Sequence, residues 1–196
     1  MNTSATSNIE AFLQLSRIPT SLDVISSDFE GGLYSPGFVL SINQAGEAIV
    51  LAVRGTLMPH DFLTDLVCYS EKLPSEFHGQ EGAEGPEEHF AHSGMLKSAQ
   101  NLSADVLPLI QNLLSRSKYK NFKVVLTGHS LGAGVAGLMT AIWKTTHPRI
   151  YQRTQCYGYG MPAILTASVG KSIADHCTAV IIGGDMVPVS YIYIHI

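Results

Sequence analysis

An α/β fold built on a mainly parallel sheet is the class this sequence predicts, and three observations predict it. Residues 123–127 are a short apolar, β-branched run that leads through Gly128-His129-Ser130-Leu131-Gly132 into a segment rich in Ala, Leu, Met and Gly at 131–144. The run reads as a buried parallel strand and the segment after it as a helix. Two further apolar runs, 38–42 and 48–53, flank the polar residues 43–47, which is a hairpin signal. Beyond that hairpin, helical and strand patterns alternate, as they do where parallel strands are joined by crossover helices.

Each element has its own justification. Residues 9–22 carry a helical pattern broken near Pro19. The two hairpin strands follow, and Arg54-Gly55-Thr56 comes directly after the second. Residues 71–88 hold Pro74, Gly79, Gly82, Gly85 and Pro86 among six glutamates, and read as a solvated acidic loop. Residues 93–115 place Met95, Leu96, Ala99, Leu102, Val106, Leu109, Ile110, Leu113 and Leu114 at the helical period. Pro108 is expected to kink or split that helix. Residues 155–158 and 178–182 are two more strand candidates, and no internal repeat is visible.

The bulk numbers bound the class. A chain of 196 residues suffices for one sizeable core, so residues 1–196 read as a single domain. Hydrophobic residues at 45% and charged ones at 14% argue against disorder. A net charge of −4 without a basic run argues against a nucleic-acid partner. Cys68, Cys156 and Cys177 each lie in or beside apolar residues, which suits buried thiols better than a disulfide framework. Residues 1–8 lack the pattern of a signal peptide, and no stretch approaches the ~18 apolar residues of a transmembrane span. A soluble, cytoplasmic protein is expected, with peripheral contact to a lipid surface left open. No H-E-x-x-H or C-x-x-C spacing occurs, and neither a metal nor another cofactor is expected.

The chemistry enters at Gly128-His129-Ser130-Leu131-Gly132, which fits G-x-S-x-G, the nucleophile elbow of the α/β-hydrolase fold. A serine turned sharply between strand and helix sits in strained backbone. The flanking glycines are needed because a Cβ there would strike the neighbouring strand or helix. The Ser130 hydroxyl is then exposed at the carboxyl edge of the sheet. The Leu131 amide sits at the helix start, where unpaired N–H groups and the helix dipole favour an oxyanion.

Four blocks in order resemble the class 3 (fungal-type) lipases, and within them the catalytic domain of sn-1-specific diacylglycerol lipases. They are Val53-Arg54-Gly55-Thr56-Leu57 continuing to Thr64-Asp65-Leu66, then His92-Ser93-Gly94-Met95, the elbow, and Gly184-Asp185-Met186-Val187-Pro188. The resemblance covers about residues 34–188 and implies an α/β-hydrolase that cleaves an acylglycerol ester through an acyl-enzyme. It implies Ser130 as nucleophile, Asp185 as the triad acid, and Thr56 with the Leu131 amide as the oxyanion hole. Read from the residues alone, Asp185 is equally a loop aspartate, and Thr56 also fits a tight Gly-Thr turn. Residues 57–66 occupy the place of the family's lid, with Leu57, Met58, Phe62, Leu63 and Leu66 offering an apolar face, or else core packing. His92 is expected to be structural, and His129 to point away from Ser130.

The sequence departs from the family after Pro188, and residues 189–196 read as a divergent tail. The order Ser, Asp, His requires a histidine after Asp185. His195 follows ten positions on, fewer than a parallel crossover needs, and reads as a surface residue. The catalytic histidine and the last elements of the fold are therefore expected to be missing, which puts this chain's activity in doubt. A phospholipase A1 or general carboxylesterase, and a non-catalytic lipase-like lipid-binding protein, stay open as alternatives.

Overall fold

The computed structural model describes residues 10–11, 13–14, 23–55, 70–74 and 88–183. Residues 10–11 and 13–14 are helical, within the predicted first helix. Strands β1 (Val24–Asp28), β2 (Phe38–Asn43) and β3 (Ala48–Val53) form an antiparallel meander. A short pair follows, β4 (Ser70–Lys72) with β5 (Phe90–His92). Then come helix α1 (Ser93–Ser115), strand β6 (Lys123–His129), helices α2 (Leu131–Thr146) and α3 (Pro148–Tyr151), and strand β7 (Thr154–Tyr159). Helix α4 (Ala167–Ser172), a 3-10 turn (Ala174–His176) and strand β8 (Cys177–Val180) complete the described chain.

The main sheet has six strands in the order β1-β2-β3-β6-β7-β8. Strands β3, β6, β7 and β8 are parallel, as the alternating pattern predicts. Their order advances in one direction. Right-handed crossovers therefore bring the connecting helices to one face of the sheet. On that face Leu40, Ile49, Leu51, Val124, Leu126 and Cys156 are buried against Leu102, Val106 and Ile110 of α1 and Val135, Leu138 and Met139 of α2. The opposite face opens progressively toward β7 and β8, where Tyr157, Tyr159 and Val180 are exposed.

Helix α1 is not split at Pro108, which lies inside one helix rather than between two. The proline sits on the exposed side while Val106, Leu107 and Ile110 anchor the core side, so burial offsets the lost backbone bond. Residues 71–72 belong to β4 rather than to the acidic loop, because they pair with Phe90 and Ala91. Residues 75–87 of that loop lie outside the described residues.

The α1–α2 contact is fixed by one buried polar pair: Trp143 Nε1 donates to Ser103 Oγ at 2.7 Å. Trp143 is fully buried, so Ser103→Ala would strand an indole N–H with no water to replace its partner. The expected cost is about 1–3 kcal/mol, read as a lower urea midpoint at unchanged slope.

Cys156 and Cys177 are free thiols at paired positions of β7 and β8; Cys156 is buried as expected, and Cys177 is partly buried. Their mutual hydrogen bond pushes the Cys156 thiol up, with burial adding to the rise, and draws Cys177 down. Cys68 lies outside the described residues.

Candidate active site

The elbow forms where the sequence places it. Strand β6 ends at His129, α2 begins at Leu131, and Ser130 between them has φ 55° and ψ −122°. Positive φ in a residue with a Cβ costs of order 1–3 kcal/mol and persists only where its surroundings enforce it. Here they do. Ser130 N donates to Tyr159 O at 2.9 Å, and Gly134 N donates to Ser130 O at 3.1 Å. The serine backbone is thus tied to β7 on one side and into the first turn of α2 on the other. Its side chain makes no capping hydrogen bond to the helix.

The two elbow glycines are required by contact. A Cβ on Gly128 would stand 2.4 Å from the Gly132 carbonyl carbon, and one on Gly132 would stand 2.3 Å from Val53 O. Helix α2 therefore starts in backbone contact with the end of β3. A third glycine does the same work: a Cβ on Gly55 would lie 2.5 Å from His129 O and 3.8 Å from the Ser130 Cβ. Local sequence pattern gives Gly55 no role of its own. Its position directly after an apolar strand was the available signal, since backbone close approach admits only glycine.

The carboxyl ends of the parallel strands meet around the serine. Val53 is in register with Gly128, Gly128 with Gly158, and Tyr159 with Val180. Gly160 N donates to Val180 O at 2.8 Å, which joins the end of β8 to the turn beside Ser130. As the first residue of α2, Leu131 carries an N–H with no partner inside the helix, at the positive end of the helix dipole.

Of the predicted site residues, the structure brings Ser130 and Leu131 together at the elbow. Thr56 and Asp185 lie outside the described residues, as do residues 57–66 and His195; the described chain reaches Gly55 on one side and Gly183 on the other. His129 is exposed. His92 is structural: it caps α1, its Nδ1 accepting from Met95 N at 3.2 Å, and its own amide donates to Ile164 O at 3.1 Å. Among the described residues no cluster of His, Cys, Asp or Glu is arranged to hold a metal ion.

Residues 50–193 match the family described as Lipase (class 3). The chain belongs to the class 3 lipase family. The chain is 28% identical over 178 residues to human diacylglycerol lipase-alpha, a match covering 86% of this chain and 16% of that protein. The chain thus spans a small part of that relative's length. Its fold is that of the triacylglyceride lipase of Rhizomucor miehei, with a TM-score of 0.68 and 16% identity over 96% of this chain and 75% of the other. It is also that of a triacylglycerol lipase whose catalytic centre is a triad of serine-protease type, with a TM-score of 0.67, 16% identity and the same two coverages. The α/β-hydrolase fold predicted from the elbow is the fold observed.

Proposed function

We propose that this chain is a serine esterase that hydrolyses an ester bond of acylglycerols, diacylglycerol foremost. The observation that carries the reading is the strained Ser130 at the carboxyl end of β6, beside the first amide of α2. In this reading the Ser130 hydroxyl attacks the ester carbonyl. The developing oxyanion is met by the Leu131 amide and by Thr56, the residue after Gly55. One such donor contributes about 3 kcal/mol to the transition state. Asp185 would orient the imidazole base that takes the serine proton and returns it to the departing glyceride; in this sequence one histidine, His195, follows Asp185, and the step depends on a base there or beyond. Water then cleaves the acyl-enzyme. The roles of Thr56 and Asp185 are supported by their motifs, R-G-T and G-D-x-V-P. The diacylglycerol preference is supported by the likeness to diacylglycerol lipase-alpha.

No described helix is long and apolar enough to cross a membrane, and we propose peripheral contact with a lipid surface as the way substrate is reached. Free Cys156 and Cys177, facing one another across two strands, support a reducing compartment such as the cytoplasm.

The test is fatty-acid release from diolein, triolein and phosphatidylcholine dispersions and from a soluble short-chain nitrophenyl ester. The expected result is release from the acylglycerols well above that from phosphatidylcholine. Equal release from phosphatidylcholine would replace this reading with a phospholipase or general esterase. Folded protein that binds lipid but releases nothing from any ester would replace it with a non-catalytic lipid-binding protein.

A further inference from the structure

The loop between β1 and β2, residues 29–37, lies on the same sheet edge as Ser130. It ends where Phe38 pairs with Val53, and Val53 pairs with Gly128. At its tip Leu33 is 85% exposed, the highest value among the exposed large hydrophobic side chains, and Tyr34 beside it is also exposed.

The tip is held rigidly for so exposed a segment. Gly32 N donates to Ser35 O at 2.7 Å and Ser35 N to Gly32 O at 3.0 Å, closing a tight turn with Leu33 and Tyr34 at its centre. The Asp28 carboxylate accepts from Glu30 N at 2.9 Å and Gly31 N at 3.0 Å. Asn101 of α1 donates to Tyr34 O at 3.0 Å. The Arg54 guanidinium donates to Phe29 O and, at 3.2 Å, to Glu30 O, while its amide donates to Gly37 O at 2.8 Å. Arg54 thereby fastens the loop to the strand end that packs against the elbow.

Tyr34 has φ 55°, in the region where glycine or asparagine is the unstrained choice and a bulky aromatic is an outlier. The ring lies against the start of α1, its Cε1 3.6 Å from where a Cβ on Gly94 would stand, and this contact, with the Asn101 bond, holds the strained backbone; the rest of the ring, 45% exposed, faces outward beside Leu33.

We propose that the Leu33–Tyr34 turn inserts into an uncharged or zwitterionic lipid surface and so seats the rim around Ser130 against it. Leucine supplies apolar area to the acyl region, and tyrosine suits the headgroup boundary. The charges at the loop are one anion of its own, Glu30, and one exposed cation braced on it, Arg54, so they balance and there is no basic cluster of the kind anionic lipid attracts. Val180, Ile181 and Ile182, exposed at the end of β8 across the same edge, extend the apolar rim on the far side of the serine. Because the turn is already ordered, docking costs little conformational entropy.

The inference rests on the acylglycerol reading for its choice of surface, but its test reads no chemistry. Flotation of the chain with phosphatidylcholine vesicles carrying a minor fraction of diacylglycerol is compared for the parent, Leu33→Ser and Tyr34→Gly. The parent is expected to float. Leu33→Ser should partition about tenfold more weakly, with unchanged melting temperature and unchanged turnover of a soluble ester. Tyr34→Gly should also bind more weakly, with the φ strain it removes offsetting the ring contact on α1 that it gives up. Equal flotation of parent and Leu33→Ser would overturn the proposal, as would parent binding confined to phosphatidylserine vesicles. Self-association abolished by Leu33→Ser, without flotation, would assign the turn to a second copy of the chain instead. Loss of ester hydrolysis with flotation intact would sink the catalytic reading and leave the docking turn standing.

Discussion

Ser130→Ala is expected to bring ester hydrolysis down to the uncatalysed background while leaving the fold intact. Removing the nucleophile from a working serine triad costs about 10⁶-fold in kcat, because the remaining members have nothing to activate. The substitution removes one oxygen that makes no capping bond to α2, so stability should stay within about 0.5 kcal/mol of the parent. Ser130→Gly sharpens the contrast. Glycine relieves the backbone at φ 55° and should stabilise the protein by about 1 kcal/mol, while remaining just as inactive. Thermal melts alongside initial rates separate the two effects. A stabilised, inactive Ser130→Gly identifies strain held for function. A Ser130→Ala protein that hydrolyses esters at the parental rate would move the nucleophile elsewhere.

Gly132→Ala is expected to damage the fold severely. The new Cβ would lie 2.3 Å from Val53 O and 2.9 Å from Arg54 O. Both are backbone atoms of the sheet, so no side chain can turn aside. Helix α2 must retreat from β3, and the cost is at least about 3 kcal/mol. Gly170→Ala is the matched control. It adds the same methyl inside α4, where nothing lies within 4 Å, and should stabilise by about 0.5–1 kcal/mol because alanine favours helix. Chemical denaturation of the two variants should therefore move in opposite directions. Equal midpoints would mean that α2 does not abut the strand end as described.

What could be read in advance was what local pattern decides. The hairpin of β2 and β3 was legible because apolar runs and a polar turn lie next to each other in the chain. The elbow was legible because its strand, turn and helix occupy consecutive residues. Strand β1 was missed: Val24-Ile25-Ser26-Ser27-Asp28 is half polar, and an edge strand half-buried on one flank needs no strong pattern. Strand β4, Ser70–Lys72, is wholly exposed and exists only through its pairing with β5. Helix α4 is too short to show a period. Strand β8 starts at Cys177 rather than Thr178 because Cys177 pairs with Cys156, a choice made by register with a strand distant in the chain.

The candidate site divides in the same way. Ser130 and the Leu131 amide follow from five adjacent residues. A second oxyanion donor and a triad acid come from other strand ends, and spacing along the chain does not say which strand ends converge. Thr56 and Asp185 are therefore indicated by the family resemblance alone. The backbone contacts of Gly55 and Gly132, and the brace from Arg54 to the 29–37 loop, depend on tertiary approach and carried no local signature beyond the R-G pair.

The central claim is that the Ser130 hydroxyl is an activated nucleophile at an oxyanion-binding turn. Titration of the folded chain with a fluorophosphonate, followed by peptide mass mapping, tests it most directly. The account predicts one adduct per chain, on the peptide containing Ser130, absent from Ser130→Ala. A folded chain that takes up no label, or takes it up on another residue, would contradict it.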